Sequence, residues 1–255
     1  MTAVPCNKRT VPFLAAFADR LINLLFPRRC PVCGGIVWPE GALICPGCIT
    51  KLSPVRQPVC QKCGKEVLNE GIEYCADCSR HRRTYDSGMA LLNYNEAARH
   101  SMAAIKYKNK REYLDFYAAA MGTRMTRRVQ VWQAAALVPV PVHPARLRKR
   151  GYNQARELAV RLSRIWGIPV DDRLLIRTRK TAPQRTLNPQ ERLENLQEAF
   201  SVRTDPMAWG HIPGSVILVD DIYTTGSTIE ACSRVLKAAG VERIYYVAVC
   251  IGYGR

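Results

Sequence analysis

The sequence predicts an α/β protein in which a mostly parallel sheet, flanked by helices, is preceded by a small cysteine-rich domain. Eight of its eleven cysteines lie within residues 30–78. From about residue 86 onward, short apolar runs typical of strands alternate with amphipathic stretches typical of helices, as in βαβ units. The chain has 255 residues, 47% of them hydrophobic, which is enough for an ordinary packed core.

The first 28 residues predict a short amphipathic helix. The apolar positions of "VPFLAAFADRLINLLFP" recur at helical spacing, at Leu14, Phe17, Leu21 and Leu24. This face either packs on the rest of the protein or docks a partner or the membrane surface. Asp19 and Arg20 interrupt the run and no small-residue cleavage pattern follows, so we expect neither a signal peptide nor a membrane span, and a cytoplasmic protein.

Residues 29–85 predict a double zinc ribbon. Two tetrads each read C-x2-C-x11-C-x2-C, thirty residues apart: Cys30, Cys33, Cys45 and Cys48, then Cys60, Cys63, Cys75 and Cys78. Paired thiolates on a tight knuckle suit zinc at about 2.3 Å, and a second knuckle completes a tetrahedron with no position left for water. We therefore expect two structural zinc ions, with sequential or crossed pairing of the knuckles. A disulfide framework is the alternative, and it would require a secreted protein.

Two glycines fit the zinc ribbons, and three further cysteines lie outside the two tetrads. Gly34 and Gly64 each follow the second cysteine of a tetrad, where a left-handed backbone is often needed. Cys6, Cys232 and Cys250 remain as single thiols, and the last two lie in apolar patterns typical of a core.

Residues 86–255 predict the second domain. Strands are expected at 88–94, 136–142, 215–219 and 243–250, and a basic helix-like stretch at 97–125. Helices are expected at 153–167, where Leu158, Leu162 and Ile165 share a face, and at 228–240. Parallel sheets of this kind bind ligands at the carboxyl ends of their strands.

The charge predicts anionic partners. The net charge is +17, and residues 143–192 hold thirteen Arg and Lys against four acids. Nucleic acid, phosphorylated metabolites and acidic lipid all fit such a surface. A solvated basic face is the alternative that charge alone leaves open.

The stretch "VILVDDIYTTGST", residues 216–228, predicts the ligand. An apolar strand runs into Asp220 and Asp221, and Thr224, Thr225, Gly226, Ser227 and Thr228 lead into a helix. Backbone amides and hydroxyls at a helix N-terminus form an anion cradle, and Gly226 allows close approach. The paired acids suit hydroxyls or a hydroxyl-bound Mg²⁺. A ribose 5-phosphate group has both features.

This stretch resembles the PRPP-binding motif of the type I phosphoribosyltransferases, where PRPP is 5-phosphoribosyl 1-diphosphate. Together with "VPVPVHPARLRKRGYNQARELA", "KTAPQRTLNPQERLENLQEAF" and the zinc cysteines, it resembles the ComF family of competence and DNA-utilisation proteins. The resemblance covers nearly the whole chain from about residue 24. It implies a phosphoribosyltransferase-like sheet, Asp220 and Asp221 on the ribose hydroxyls, and residues 224–228 on the 5-phosphate, with Mg²⁺ accompanying PRPP.

Further residues follow from position within the family pattern. The loop after the second strand implies pyrophosphate contacts from Arg146, Arg148, Lys149 and Arg150, with Asn153 and Gln154 opening the next helix. Residues 177–195 take the place of the family's flexible hood, and its pattern is matched by Gln184, Leu187, Arg192 and Asn195. Arg192 is either an anion contact or a salt-bridge partner that holds the hood.

Two functions stay open. The first is a PRPP-site protein of DNA uptake or utilisation that handles single-stranded DNA with a helicase-type partner and has Mg²⁺-dependent transferase activity. The second is a phosphoribosyltransferase of nucleotide metabolism with an unidentified acceptor and no DNA role. Thr224 stands where purine-type enzymes carry a carboxylate base, which disfavours purine salvage. No cysteine is placed as a glutaminase nucleophile, which leaves amidotransfer unsupported.

Overall fold

A computed structural model describes residues 26–177, 199–203 and 212–253. The strands are β1 (Ser87–Asn93), β2 (Ala136–Pro139), β3 (Leu175–Arg177), β4 (Phe200–Val202), β5 (Ser215–Tyr223) and β6 (Arg243–Ile251). The helices are α1 (Pro46–Ile49), α2 (Ala76–Arg80), α3 (Glu96–Tyr107), α4 (Tyr113–Trp132), α5 (Pro144–Arg150), α6 (Gln154–Trp166) and α7 (Ser227–Ala238).

Four strands form one parallel sheet in the order β1-β6-β5-β2. β5 lies at its centre, with Val216 beside Ile244 of β6 and beside Ala136 of β2. Strands β3 and β4 form a separate antiparallel pair. The predicted class, a parallel sheet flanked by helices after a cysteine-rich ribbon region, is confirmed.

Two buried clusters cover the two faces of the sheet. Ile217 and Val219 of β5 point into the first cluster with side chains of α3, α4 and α6, and their neighbours Val216 and Leu218 point into the second with side chains of α7. Side chains alternate between faces along a strand, so one apolar run of β5 supplies both cores. This explains why the strand reads as continuously hydrophobic.

Some predicted elements differ in extent. The basic stretch 97–125 forms two helices, because Asn109 between them takes a left-handed backbone with φ of 54°. The predicted strand at 136–142 ends at Pro139. In α6, Leu158 and Leu162 are fully buried, whereas Ile165 is 45% exposed. Gly167 ends this helix with φ of 71°, as expected for a C-terminal glycine.

The two ribbons repeat each other in detail. Gly34 and Gly64 both take the left-handed backbone that their positions predict, with φ of 72° and 71°. The Gly34 amide donates to the Cys30 carbonyl at 2.9 Å, and the Gly64 amide donates to the Cys60 carbonyl at 2.8 Å. The same knuckle is therefore built twice, thirty residues apart.

Candidate functional site

The carboxyl end of β5 carries the adjacent acids Asp220 and Asp221. The sequence placed them just after the strand, but the structure keeps both inside it, because β5 runs on to Tyr223. β6 continues beside it to Ile251 and supplies backbone partners along this stretch. The acids still lie at the edge of the sheet where ligands bind in open α/β folds.

The strand turns the two acids to opposite faces. Asp221 lies on the side of α3 and α6, where it contacts Lys106 and Gln154. Asp220 lies on the side of α7, near Cys232. Burial is the main reason that the pKa of the Cys232 thiol is raised, and the charge of Asp220 is the second. Oδ1 of Asp220 also accepts a hydrogen bond from the Asp221 amide at 2.8 Å. The acids are thus neighbours that do not present one joint surface.

Lys106, near the end of α3, pairs with Asp221. Its Nζ lies 2.5 Å from Oδ2 of Asp221, and the Asp221 side chain is only 6% exposed. Burial disfavours the charged form of Lys106, but the Asp221 carboxylate outweighs this and the pKa of Lys106 is raised. Sequence reasoning missed this residue, because Lys106 is one of several lysines in "IKYKNK" and nothing local distinguishes it.

Gln154 links Asp221 to the basic segment. Its Nε2 donates to Oδ1 of Asp221 at 3.2 Å, and its Oε1 accepts a hydrogen bond from Nη1 of Arg150. The structure therefore connects two of the predicted ligand contacts, Arg150 and Gln154, to the acidic end of β5. Asn153 is used differently: it caps α6 by accepting from the Ala155 amide at 3.0 Å.

The expected pyrophosphate loop contains the short helix α5. His143 caps its start by accepting from the Ala145 amide at 3.1 Å, Pro144 suits its first turn, and Gly151 ends it with φ of 82°. These local signals produce a short helix where the sequence predicts a loop.

Three basic side chains of α5 face solvent. Arg146 is exposed. The pKa of Arg177 is lowered, mainly by burial and next by the charge of Arg146. Arg148 and Lys149 are also exposed.

Residues 224–228, here called the TTGST loop, follow β5 and include the first two residues of α7. Gly226 is the N-cap of α7 with φ of 77°, and a Cβ built on it would lie 2.2 Å from the hydroxyl oxygen of Tyr223. Only glycine fits this position. Thr224 and Thr225 are exposed, and the hydroxyls of Thr225 and Ser227 lie 2.9 Å apart. The exposed hydroxyls and the first amides of a helix thus follow Asp220 at the carboxyl end of β5, which is a suitable arrangement for an anion.

The pKa of Asp220 is raised well above its usual range. Burial is the main cause, the neighbouring Asp221 carboxylate adds to it, and the charge of Lys106 opposes it. Because an opposite charge favours the ionised form of a carboxyl, a cation bound beside Asp220 would lower this pKa again.

The eight ribbon cysteines form two compact sets in sequential order. The sulfurs of Cys30, Cys33, Cys45 and Cys48 lie within 4.8 Å of one another, as do those of Cys60, Cys63, Cys75 and Cys78. The Cys63 and Cys75 sulfurs are 3.6 Å apart, close to the value of about 3.8 Å that a tetrahedron with bonds of about 2.3 Å requires. Four thiolates fill the coordination of zinc, so both sites are structural.

Several predicted features lie outside the described residues. They are the N-terminal helix up to residue 25, Cys6, and the hood from residue 178 onward with Gln184, Leu187, Arg192 and Asn195. In the described part of the chain, no helix combines the length and apolarity needed to cross a membrane.

Comparison with known proteins places the chain. A family model described as a double zinc ribbon domain matches residues 21–79. Competence protein F of Haemophilus influenzae is 31% identical over 225 residues, which are 86% of this chain and 95% of that protein. Competence protein ComFC of Bacillus subtilis is 29% identical over 78% of this chain and 81% of its own length. DNA utilization protein YhgH of Escherichia coli is 24% identical over 81% of this chain and 89% of its own length.

The match to competence protein F covers 86% of this chain, so it reaches both the ribbon region and the sheet. Together with the two cysteine sets and the parallel sheet, this similarity shows that the chain belongs to the ComF family.

Proposed function

We propose that this protein binds PRPP together with Mg²⁺ and acts in DNA uptake or utilisation. The observation that supports this ligand is the TTGST loop, in which Gly226 caps the N-terminus of α7 just after Asp220 at the carboxyl edge of the sheet. The names of its relatives, competence protein F and DNA utilization protein, support the wider role. The net charge of +17 also suits an anionic polymer.

The loop and the acids divide the ligand between them. The amides and hydroxyls of residues 224–228 would hold the 5-phosphate, and the carboxylate of Asp220 would accept hydrogen bonds from the ribose hydroxyls. Asp221 is already engaged by Lys106, so its part is to hold Lys106 and Gln154 in place. Arg150, joined to Gln154, would face the pyrophosphate.

Magnesium suits this donor set. Mg²⁺ is usually held by one or two carboxylates together with oxygens of the substrate and water, and Asp220 supplies one carboxylate that has no ion-pair partner among the described residues. When bound, the ion would neutralise charge on the pyrophosphate. The chain's own contribution to transfer would be the fixed placement of the ribose between the TTGST loop and the basic segment.

Calorimetric titration of Mg²⁺–PRPP into the zinc-loaded protein tests the site. We expect saturable binding that weakens at least about tenfold in Asp220→Asn, which keeps the size of the side chain and removes one charge. Glu242→Gln is the control, because Glu242 lies exposed just before β6 at the opposite edge of the sheet. An unchanged affinity in Asp220→Asn, or no binding by the folded parent protein, would refute the proposed site.

A second measurement separates the two functional readings. Fluorescence anisotropy with a single-stranded oligonucleotide should show binding that weakens steeply as salt rises, since phosphate contacts release counterions. Absence of such binding, combined with pyrophosphate release in the presence of an acceptor, would instead favour a phosphoribosyltransferase of nucleotide metabolism. A screen of acceptors for pyrophosphate release addresses the transferase activity directly.

A further inference from the structure

The second ribbon (residues 60–78) packs against the sheet close to the TTGST loop. Cys60, Cys63 and Cys75 share one buried cluster with side chains of β5, β6 and α7. The hydroxyl of Tyr246 in β6 donates to the Cys63 carbonyl at 2.6 Å. A Cβ on Gly64 would lie 2.7 Å from the Gly88 carbonyl oxygen, so the knuckle touches the backbone of β1. The zinc knuckle and the sheet therefore form one packed unit.

Arg83 joins this ribbon to the TTGST loop directly. Its Nη2 donates to Oδ2 of Asp77 at 2.7 Å and to the backbone carbonyl of Thr225 at 3.1 Å. Asp77 lies between the zinc ligands Cys75 and Cys78. The Arg83 side chain is only 8% exposed and that of Asp77 is 32% exposed, so the ion pair is partly shielded from water, whereas the hydrogen bond to Thr225 lies at the surface. A single guanidinium thus ties a ligand knuckle to the middle of the loop.

The residue after Arg83 fixes the start of α7. The Thr84 amide donates to Oε2 of Glu230 at 2.8 Å, and the Thr84 hydroxyl donates to Oε1 at 2.6 Å. Glu230 is buried and lies in the first turn of α7. Both oxygens of this carboxylate accept hydrogen bonds from Thr84, which ties the first turn of α7 to the segment that leaves the second ribbon.

Three buried tyrosines, Tyr85, Tyr223 and Tyr246, pack beneath the TTGST loop on the α7 side of the sheet. Tyr223 stacks on Tyr246 with ring centroids 4.8 Å apart, and its hydroxyl hydrogen-bonds to the hydroxyl of Tyr85 at 2.8 Å. Gly226 rests on that same Tyr223 hydroxyl. Because Tyr246 also donates to Cys63, the stack is a second connection between the ribbon and the loop.

The first ribbon (residues 30–48) makes its contacts elsewhere. Val32 and Ile44 pack against the cluster on the opposite face of the sheet. Arg28, just before this ribbon, pairs with Asp115 of α4 at 2.9 Å. Within the described residues, this ribbon shares no hydrogen bond, ion pair or buried cluster with the TTGST loop. The two ribbons are alike in sequence and differ in what they hold.

We infer that the second ribbon, with its zinc, holds the TTGST loop in the conformation that receives a phosphate group, and that Arg83 is the positioning residue. Arg83 acts through Asp77 and the Thr225 carbonyl, not by contact with the ligand. The identity of the ligand, PRPP, rests on the proposed function. The positioning of the loop does not depend on that identity, and it can be measured without any ligand.

Amide hydrogen exchange of the ligand-free, zinc-loaded protein is the first test. In Arg83→Gln, peptides covering residues 220–230 should exchange at least about tenfold faster, while those covering β1 stay unchanged. Arg82→Gln is the matched control, since Arg82 is the exposed neighbour. Selective loss of protection in the loop separates positioning from general stability. Equal protection of the loop in the two variants would overturn the inference.

Removal of each zinc site in turn is the second test. Cys78→Ser disables the second ribbon and Cys33→Ser the first, and zinc analysis should find one ion in each variant. We expect loop exchange to rise in Cys78→Ser and not in Cys33→Ser. Equal loop exchange in both would count against the inference. If Cys78→Ser does not fold, Arg83→Gln decides the matter alone.

Calorimetry with Mg²⁺–PRPP adds the link to function. Arg83→Gln should bind about tenfold more weakly than Arg82→Gln, with two zinc ions still present in each. Equal affinities in the two variants would overturn the inference. Failure of the parent protein to bind PRPP would refute the proposed ligand alone, because the exchange measurements would still decide whether the ribbon holds the loop.

Discussion

Nζ of Lys106 and Oδ2 of Asp221 lie 2.5 Å apart and join α3 to the centre of the sheet. The charge of Lys106 compensates that of Asp221, whose side chain is only 6% exposed. Gln154 makes the other contact to the same carboxylate. Leaving a buried carboxylate without its cation destabilises the folded protein far more than the ion pair stabilises it relative to a neutral pair. The structure therefore makes Lys106 a stability residue as well as a member of the site.

We expect Lys106→Met to lower the free energy of unfolding by about 3 kcal/mol, because it leaves Asp221 buried without its cation. The double variant Lys106→Met/Asp221→Asn should recover most of this loss. Chemical denaturation measures both, and Lys108→Met is the control, since Lys108 is exposed two residues further on. Simple addition of the two single effects would show that the charges are not coupled.

The pKa of Asp220 predicts a dependence on pH. Because the pKa is raised in the folded protein, the proton is held more tightly when folded than when unfolded. The contribution of Asp220 to stability therefore falls as pH rises from the ordinary aspartate range through the raised pKa. Affinity for Mg²⁺–PRPP should rise over the same range, because the ligand needs the carboxylate.

Asp220→Asn should remove both effects. The variant should be more stable than the parent protein at pH 8 and show little difference near pH 4, by urea denaturation at each pH. Its affinity for Mg²⁺–PRPP should depend less on pH. A variant that is less stable at pH 8 than at pH 4 relative to the parent would contradict the sign of the shift.

Gly226→Ala should damage the TTGST loop. Its φ of 77° is strained for alanine, and the new Cβ would meet the Tyr223 hydroxyl at 2.2 Å. We expect a loss of about 1–3 kcal/mol in unfolding free energy and at least about tenfold weaker binding of Mg²⁺–PRPP. Gly214→Ala is the control, because its Cβ would meet nothing within 4 Å. Similar behaviour of the two variants would argue against a tight loop.

The two zinc sites should differ in their value to stability. Cys63 is fully buried in the cluster shared with the sheet, whereas Cys33 is exposed. Cys63→Ser should cost more than about 3 kcal/mol, as loss of a structural metal does, and Cys33→Ser less. Denaturation with zinc analysis tests this, with two ions expected in the parent protein. Equal losses would mean that burial of the second ribbon adds nothing.

The sequence predicts those features that depend on neighbours along the chain. The C-x2-C knuckles and the glycines after them predict two zinc sites, because ligand spacing and backbone conformation are local. Which knuckles share a metal was left open by the sequence, and the structure brings together the sequential sets. The alternation of apolar runs and amphipathic stretches predicts the parallel sheet, and "VDDIYTTGST" predicts a strand, a tight turn and a helix start. These are consequences of periodicity and dihedral preference.

Two elements near the site, the end of β5 and the helix α5, were not predicted correctly from local signals. The sequence placed Asp220 and Asp221 after β5 as one pair, because it could not show that β6 continues beside them. It also read the segment after β2 as a loop, although His143, Pro144 and Gly151 are signals for a short helix that could have been recognised.

Only the tertiary structure decided which distant residues meet. Lys106 reaches Asp221 because α3 packs on the face of β5 to which that side chain points. Arg83 reaches the carbonyl of Thr225, 142 positions along the chain, because the second ribbon packs into the buried cluster that covers the α7 face of the sheet. Neither residue carries a local pattern that marks it. The partner of each is set by the packing of helices and strands across the sheet, which depends on the whole chain and not on the spacing of neighbouring residues.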